Sequence, residues 1–158
     1  MFKTNLSIFV YGTLKRGEPN NGVMNDETKG SCSFIGNGRT VNKFPLIIAT
    51  DYNIPFCLNK PNIGHRINGE IYSIDEKMLN FLDEFESHPQ LYVRRKEQIE
   101  MDSGEITTAW IYMLDRWNPS LLENASDFLN NYSSTGGHGR LYVARWAYSF
   151  SNFIKKKD

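Results

Sequence analysis

The apolar residues of this chain come mostly in short runs, each cut off by Gly, Pro or a polar turn. That punctuation limits the folds open to it. The first run, Leu6 to Tyr11, stops at Gly12. A second covers 31–35, with Gly36-Asn37-Gly38 expected as a turn behind it. Runs over 44–49, 54–58 and 67–74 read as further strands; Pro45 limits where the first can pair, and Gly69 lies near the start of the last. A polar-rich strand over 91–101 and an apolar one over 106–114 flank Asp102-Ser103-Gly104-Glu105, a hairpin loop. The period changes over 75–86, where Met78, Leu79, Phe81, Leu82 and Phe85 fall on one side of a 3.6-residue helix. Asp75 is its expected N-cap, and Pro89 follows its end. Shorter helices are expected over 21–28 and over 120–132, where Ser120-Leu121-Leu122-Glu123 has the spacing of a capping box. Short strands with two or three helices predict an α+β fold on a small mixed sheet, curled or barrel-like. The 158 residues fit one domain, in which 141–158 is an aromatic, divergent C-terminal tail behind a Gly-rich loop at 133–139.

Lys and Arg number 18 and so do Asp and Glu, so charge points neither to nucleic acid nor to an anionic membrane. Two cysteines, Cys32 and Cys57, fit a reducing compartment, with a single bridge left open. The first residues lack the apolar core of a signal peptide, and no apolar run approaches transmembrane length. A cytoplasmic monomer is the expectation. His65, His88 and His138 show no ligand spacing with each other or with the cysteines, so no metal site is expected. Lys15-Arg16 beside Gly17 lacks the Walker spacing. Ser7 and Thr13 have no adjacent base, which leaves nucleophilic catalysis without a case.

Two places carry chemistry. A strand that breaks at Gly12 into a polar, Gly-containing loop leaves backbone N–H groups unpaired at its end, one way to build an anion or oxyanion site. Spacing alone does not separate this from an ordinary strand and turn. The second is Glu86. On a helical wheel it falls between Leu79 and Leu82, inside the apolar stripe, whereas Asp83 lies at the stripe's margin and Glu84 on the polar side. Asp83 and Glu84 are therefore expected to be solvated. Burial and the C-terminal end of the helix dipole both disfavour an anion at Glu86, and are expected to raise its pKa toward that of a general base. A frayed helix end with Glu86 leaning into solvent is the other reading.

Val10-Tyr11-Gly12-Thr13-Leu14-Lys15-Arg16-Gly17 resembles the signature loop of the γ-glutamylcyclotransferase-like family. Asn53-Ile54-Pro55, Gly69-Glu70-Ile71-Tyr72, Leu82-Asp83-Glu84-Phe85-Glu86-Ser87 and Tyr92-Val93-Arg94 are similar to that family in order and spacing. The resemblance runs over 9–94 and fades after Ile106. Gly136-Gly137-His138-Gly139 is only loosely similar to the family's C-terminal loop. What the resemblance implies is a small barrel-like α+β domain acting on a small-molecule γ-glutamyl substrate, with no cofactor and no metal. It also implies that Tyr11, Gly12, Thr13 and Leu14 hold the γ-glutamyl group through backbone amides. Glu86 would be the acid/base while the substrate's own α-amine closes 5-oxoproline. The leaving group stays open among γ-glutamylamines, γ-glutamyl amino acids and glutathione, as does a binding module without turnover.

Overall fold

The computed structural model describes residues 5–143. Five strands close into a barrel: β1 (Leu6–Val10), β5 (His65–Ile74), β2 (Cys32–Phe44), β6 (Val93–Met101) and β7 (Ile106–Met113), in that spatial order. Neighbours are antiparallel except at the seam, where β1 meets β7 in parallel through Ile8 and Trp110. β3 (Leu46–Ala49) and β4 (Ile54–Cys57) form a separate antiparallel pair. One α-helix, α1 (Glu76–Phe85), follows β5. The α+β reading with a barrel-like sheet therefore holds.

Alternation along β1 divides the core in two. Ile8 and Val10 pack with Ile74, Met78, Leu82 and Leu114, while Phe9 and Tyr11 pack with Phe44, Ile67, Ile71 and Ile111. The helix thus covers one side of β1, and the other side of the strand faces a second apolar cluster. Asp75 caps α1 as expected, accepting a hydrogen bond from the Met78 N–H at 2.9 Å.

Three expectations need correction. Gly36-Asn37-Gly38 is not a turn but the middle of β2, which runs on for thirteen residues and shifts register between Phe34 and Gly36. A Cβ at Gly38 would lie 2.9 Å from the Glu100 carbonyl oxygen, so the glycine serves close strand approach rather than reversal. The helix expected over 120–132 is a single 3₁₀ turn, Pro119–Leu122, whose N-cap is Asn118. Beyond it the chain bonds to β3, through Ser126 to Ile48 and Leu129 to Leu46. The helix expected over 21–28 is likewise a 3₁₀ turn, Asn21–Asn25. Most of the aromatic tail, 144–158, lies outside the described residues. No helix among the described residues is long and apolar enough to cross a membrane.

Candidate active site

Past Val10 the chain leaves the barrel as a loop folded back on itself. The Lys15 N–H donates to the Gly12 carbonyl at 3.2 Å, and the Asn20 N–H to that of Thr13 at 2.8 Å. Glu70, buried on β5, accepts from the Arg16 N–H at 2.9 Å, from Arg16 Nε at 3.2 Å and from the Tyr72 hydroxyl at 2.9 Å. Lys15 is also buried, and its Nζ donates to the Tyr132 carbonyl and to Asn131 Oδ1. Burial lowers the pKa of that ammonium. Lys15 and Arg16 are therefore anchors of the loop and not ligands for a phosphate. With the loop held from its far side, the N–H groups of Gly12, Thr13 and Leu14 find no acceptor among the described residues. Gly12 itself lies against Pro55, where a Cβ would come within 3.1 Å of the proline ring.

Glu86 stands at the end of α1, and that end is not frayed. The Ser87 N–H donates to the Glu84 carbonyl and the His88 N–H to that of Asp83, with Ser87 in the left-handed region at φ 52°. This paired closure is a Schellman motif, with Ser where glycine is commoner. It fixes Glu86 as the C-cap and leaves it 8% exposed. The frayed reading is thereby removed.

Asp83 is not the solvated acid its place on the wheel implied. Its Oδ1 accepts from Arg94 Nε at 2.9 Å and from the Tyr112 hydroxyl at 2.8 Å. Both partners come from other strands, β6 and β7, so the wheel has no view of them. Burial, then the hydrogen bond to Asp83, pushes the Tyr112 hydroxyl far above its ordinary pKa, and the Glu86 charge adds to this. Tyr11 is raised too, first by burial, with Glu86 among the lesser causes, and its hydroxyl donates to the Tyr112 carbonyl at 2.7 Å. Glu84 is exposed, as expected.

Tyr11, Gly12, Thr13, Leu14 and Glu86 all line one pocket, about 480 Å³ of empty space with its mouth included. The 75-residue gap between Tyr11 and the carboxylate is closed by β5, which pairs with β1, and by α1, whose Met78 and Leu82 share a core cluster with Ile8 and Val10. Sequence reasoning missed two further walls, Tyr112 and Tyr142. Tyr112 is one apolar position among several in β7 and carries no signal of its own. Tyr142 reaches the pocket from the C-terminal segment, tied by its hydroxyl to Asn20 Nδ2 at 3.1 Å; the same amide donates to Thr13 Oγ1 at 3.0 Å. Neither cysteine lines the pocket. Burial pushes the Cys32 thiol up to about 11 and Cys57 higher still, so neither is a poised thiolate.

A model of the family described as gamma-glutamyl cyclotransferase, AIG2-like, matches residues 8–132. Gamma-glutamylaminecyclotransferase of Mus musculus is 43% identical over 145 residues, which are 87% of this chain and 96% of that protein. Gamma-glutamylaminecyclotransferase B of Danio rerio is 43% identical over 140 residues, 86% of this chain and 72% of its own. The crystal structure of an AIG2-like protein from Mus musculus superposes with a TM-score of 0.84 at 42% identity, covering 89% of this chain and 97% of that one. This chain belongs to the AIG2-like gamma-glutamyl cyclotransferase family.

The two acids that precede Phe85 near the helix end, Asp83 and Glu84, should separate cleanly in stability. Asp83→Ala leaves Arg94 and Tyr112 without their acceptor and is expected to cost about 1–3 kcal/mol. Glu84→Ala, on the exposed face, should stay within about 0.5 kcal/mol of the parent. Denaturant unfolding of both variants measures this, and equal midpoints would contradict the packing described for Asp83.

Proposed function

We propose that this chain is a γ-glutamylamine cyclotransferase that releases 5-oxoproline and a free amine. The observation that carries the reading is the meeting of a buried carboxylate, Glu86, with the acceptor-free N–H groups of Gly12, Thr13 and Leu14 in one narrow pocket. The names of the relatives support the same reading for the leaving group, an amine.

In this mechanism the α-ammonium of the γ-glutamyl group gives a proton to Glu86. The freed amine attacks the γ-carbonyl carbon, a C–N bond forms, and negative charge moves to the carbonyl oxygen. Loop N–H groups bind that oxyanion at roughly 10²–10³ in rate per donor. The tetrahedral carbon then expels the amide nitrogen, which takes the proton from Glu86. Glu86 next removes the second proton from the ring nitrogen and passes it to the departing amine, which leaves as an ammonium. No water is consumed and no protein atom is acylated, so neither a serine nor a cysteine is required. Folding the glutamyl chain into attack geometry is worth most, since effective molarities for aligned intramolecular reactions reach roughly 10⁵–10⁸ M. Tyr11 and Tyr112, held protonated by burial, keep fixed hydroxyl groups along the wall and add no competing charge.

Glu86→Gln keeps the shape of the side chain and removes the proton acceptor. It should lower kcat by at least about 10²-fold in a 5-oxoproline assay. Its melting temperature should not fall appreciably, because a neutral amide is easier to bury than a carboxylate. Glu84→Gln, which faces solvent, serves as the reference. Near-normal turnover in folded Glu86→Gln would mean that another group moves the proton.

Leaving-group choice gives a second expectation. γ-Glutamyl-ε-lysine presents an unbranched alkylamine at the broken bond, whereas glutathione presents the α-amine of cysteinylglycine there. kcat/KM should be clearly higher for the lysine compound. An equal or higher value for glutathione would move the chain to a different cyclotransferase specificity.

A further inference from the structure

Beside the pocket that holds Glu86 lies a second, larger cleft, about 1240 Å³ with its open mouth. Its walls include the turn between β3 and β4, the end of the 3₁₀ turn Pro119–Leu122, and Arg140. The two cavities adjoin along the chain. Asn53 lines one and Ile54 the other, and Arg140 stands two positions before Tyr142, which lines the reaction pocket. The segment between them is fixed: Asn53 Nδ2 donates to the Leu141 carbonyl at 2.7 Å, and the Val143 N–H to that of Tyr52 at 2.9 Å.

The cleft holds two opposite charges that do not neutralise each other. Arg140, half-buried, donates through Nη1 to the carbonyls of Asn124 at 2.6 Å and Ile48 at 3.4 Å. Its Nε and Nη2 meet no acceptor among the described residues, and no carboxylate pairs with it there. Asp51 is exposed and has no side-chain hydrogen bond or ion pair among the described residues. A guanidinium held by one nitrogen, with a free Nε–Nη2 edge, is set up to receive a carboxylate in two parallel hydrogen bonds. An aspartate in the same cleft suits an ammonium. A molecule with both charges on one carbon is an α-amino acid.

Resting on the cyclotransferase reading above, we infer that this cleft is the subsite for the zwitterionic head of a leaving lysine. Arg140 binds the α-carboxylate and Asp51 the α-ammonium, while the methylene chain spans to the scissile bond beside Glu86. Contacts so far from the reacting atoms are made equally before and in the transition state. They act on KM and leave kcat alone.

The test compares three compounds in a 5-oxoproline assay with the full chain. They are γ-glutamyl-ε-lysine, γ-glutamylcadaverine, which lacks the carboxylate, and γ-glutamyl-n-pentylamine, which lacks both charges. The parent protein should show kcat/KM falling in that order, through KM. Arg140→Gln should lower the preference for the lysine over the cadaverine compound by about ten- to a hundredfold. Asp51→Asn should lower the preference for the cadaverine over the pentylamine compound by about two- to fivefold, the range of an exposed pair. Asp51 makes no side-chain bond among the described residues, so this variant remains informative if Arg140→Gln is unstable. Equal kcat/KM for all three compounds in the parent would overturn the subsite and leave the cyclotransferase reading standing. Absence of 5-oxoproline from every compound would overturn both.

Discussion

The Glu70 carboxylate accepts three hydrogen bonds, two from Arg16 and one from the Tyr72 hydroxyl, and the geometry of the reaction pocket depends on it. Glu70 sits on β5 directly opposite Val10, the last residue of β1, so the loop that begins one residue later is tied to the strand next door. The Arg16 guanidinium also lies 3.7 Å above the Phe34 ring, and Phe34 belongs to β2, on the other side of β5. One arginine thus pins the loop across neighbouring strands of a closed barrel. Lys15 makes a second anchor toward Tyr132. Because side chains hold the loop, the N–H groups of Gly12, Thr13 and Leu14 are not needed to hold it. Donors set in place before a ligand arrives need no reorganisation when charge develops beside them.

A reaction whose nucleophile lies inside the substrate asks little chemistry of the protein and much shape. This pocket answers in kind. Gly12 lies against Pro55, Tyr92 stacks on Phe56 with ring centres 6.0 Å apart, and Tyr11 is bonded to the backbone of Tyr112. Each wall is braced by another element, and the helix end that delivers Glu86 is closed by its own Schellman bonds. Asp83, one turn earlier, fastens that end to β6 and β7 through Arg94 and Tyr112. The acid in the pocket and the acid beneath it have different work. One lines the pocket, and the other holds the scaffold.

Features set by local sequence were legible from the sequence. The end of β1 ahead of Gly12, the helix over 75–86 with its Asp75 cap, and Glu86 inside the apolar stripe all follow from period and capping chemistry. Features set by distant partners were not. Asp83 looked solvated because its partners lie 11 and 29 residues away, and no helical wheel includes them. Gly36 and Gly38 looked like a turn because glycine serves reversal and close strand approach alike. Only the presence of β6 decides for the second. Ser120 to Glu123 matched a capping box, yet beyond the 3₁₀ turn the backbone of Ser126 and Leu129 bonds to β3, a distant partner that local spacing does not show. Tyr142 has no local signal at all and depends on Asn20, 122 residues earlier.

Cyclisation without water is the step on which the whole account turns, and running the reaction in water enriched in heavy oxygen tests it most directly. With γ-glutamyl-ε-lysine as substrate, mass spectrometry should find 5-oxoproline without added label, together with free lysine and no glutamate. Glutamate carrying the heavy oxygen would show that water attacks the γ-carbonyl, and would contradict the assignment of the pocket to an internal amine nucleophile.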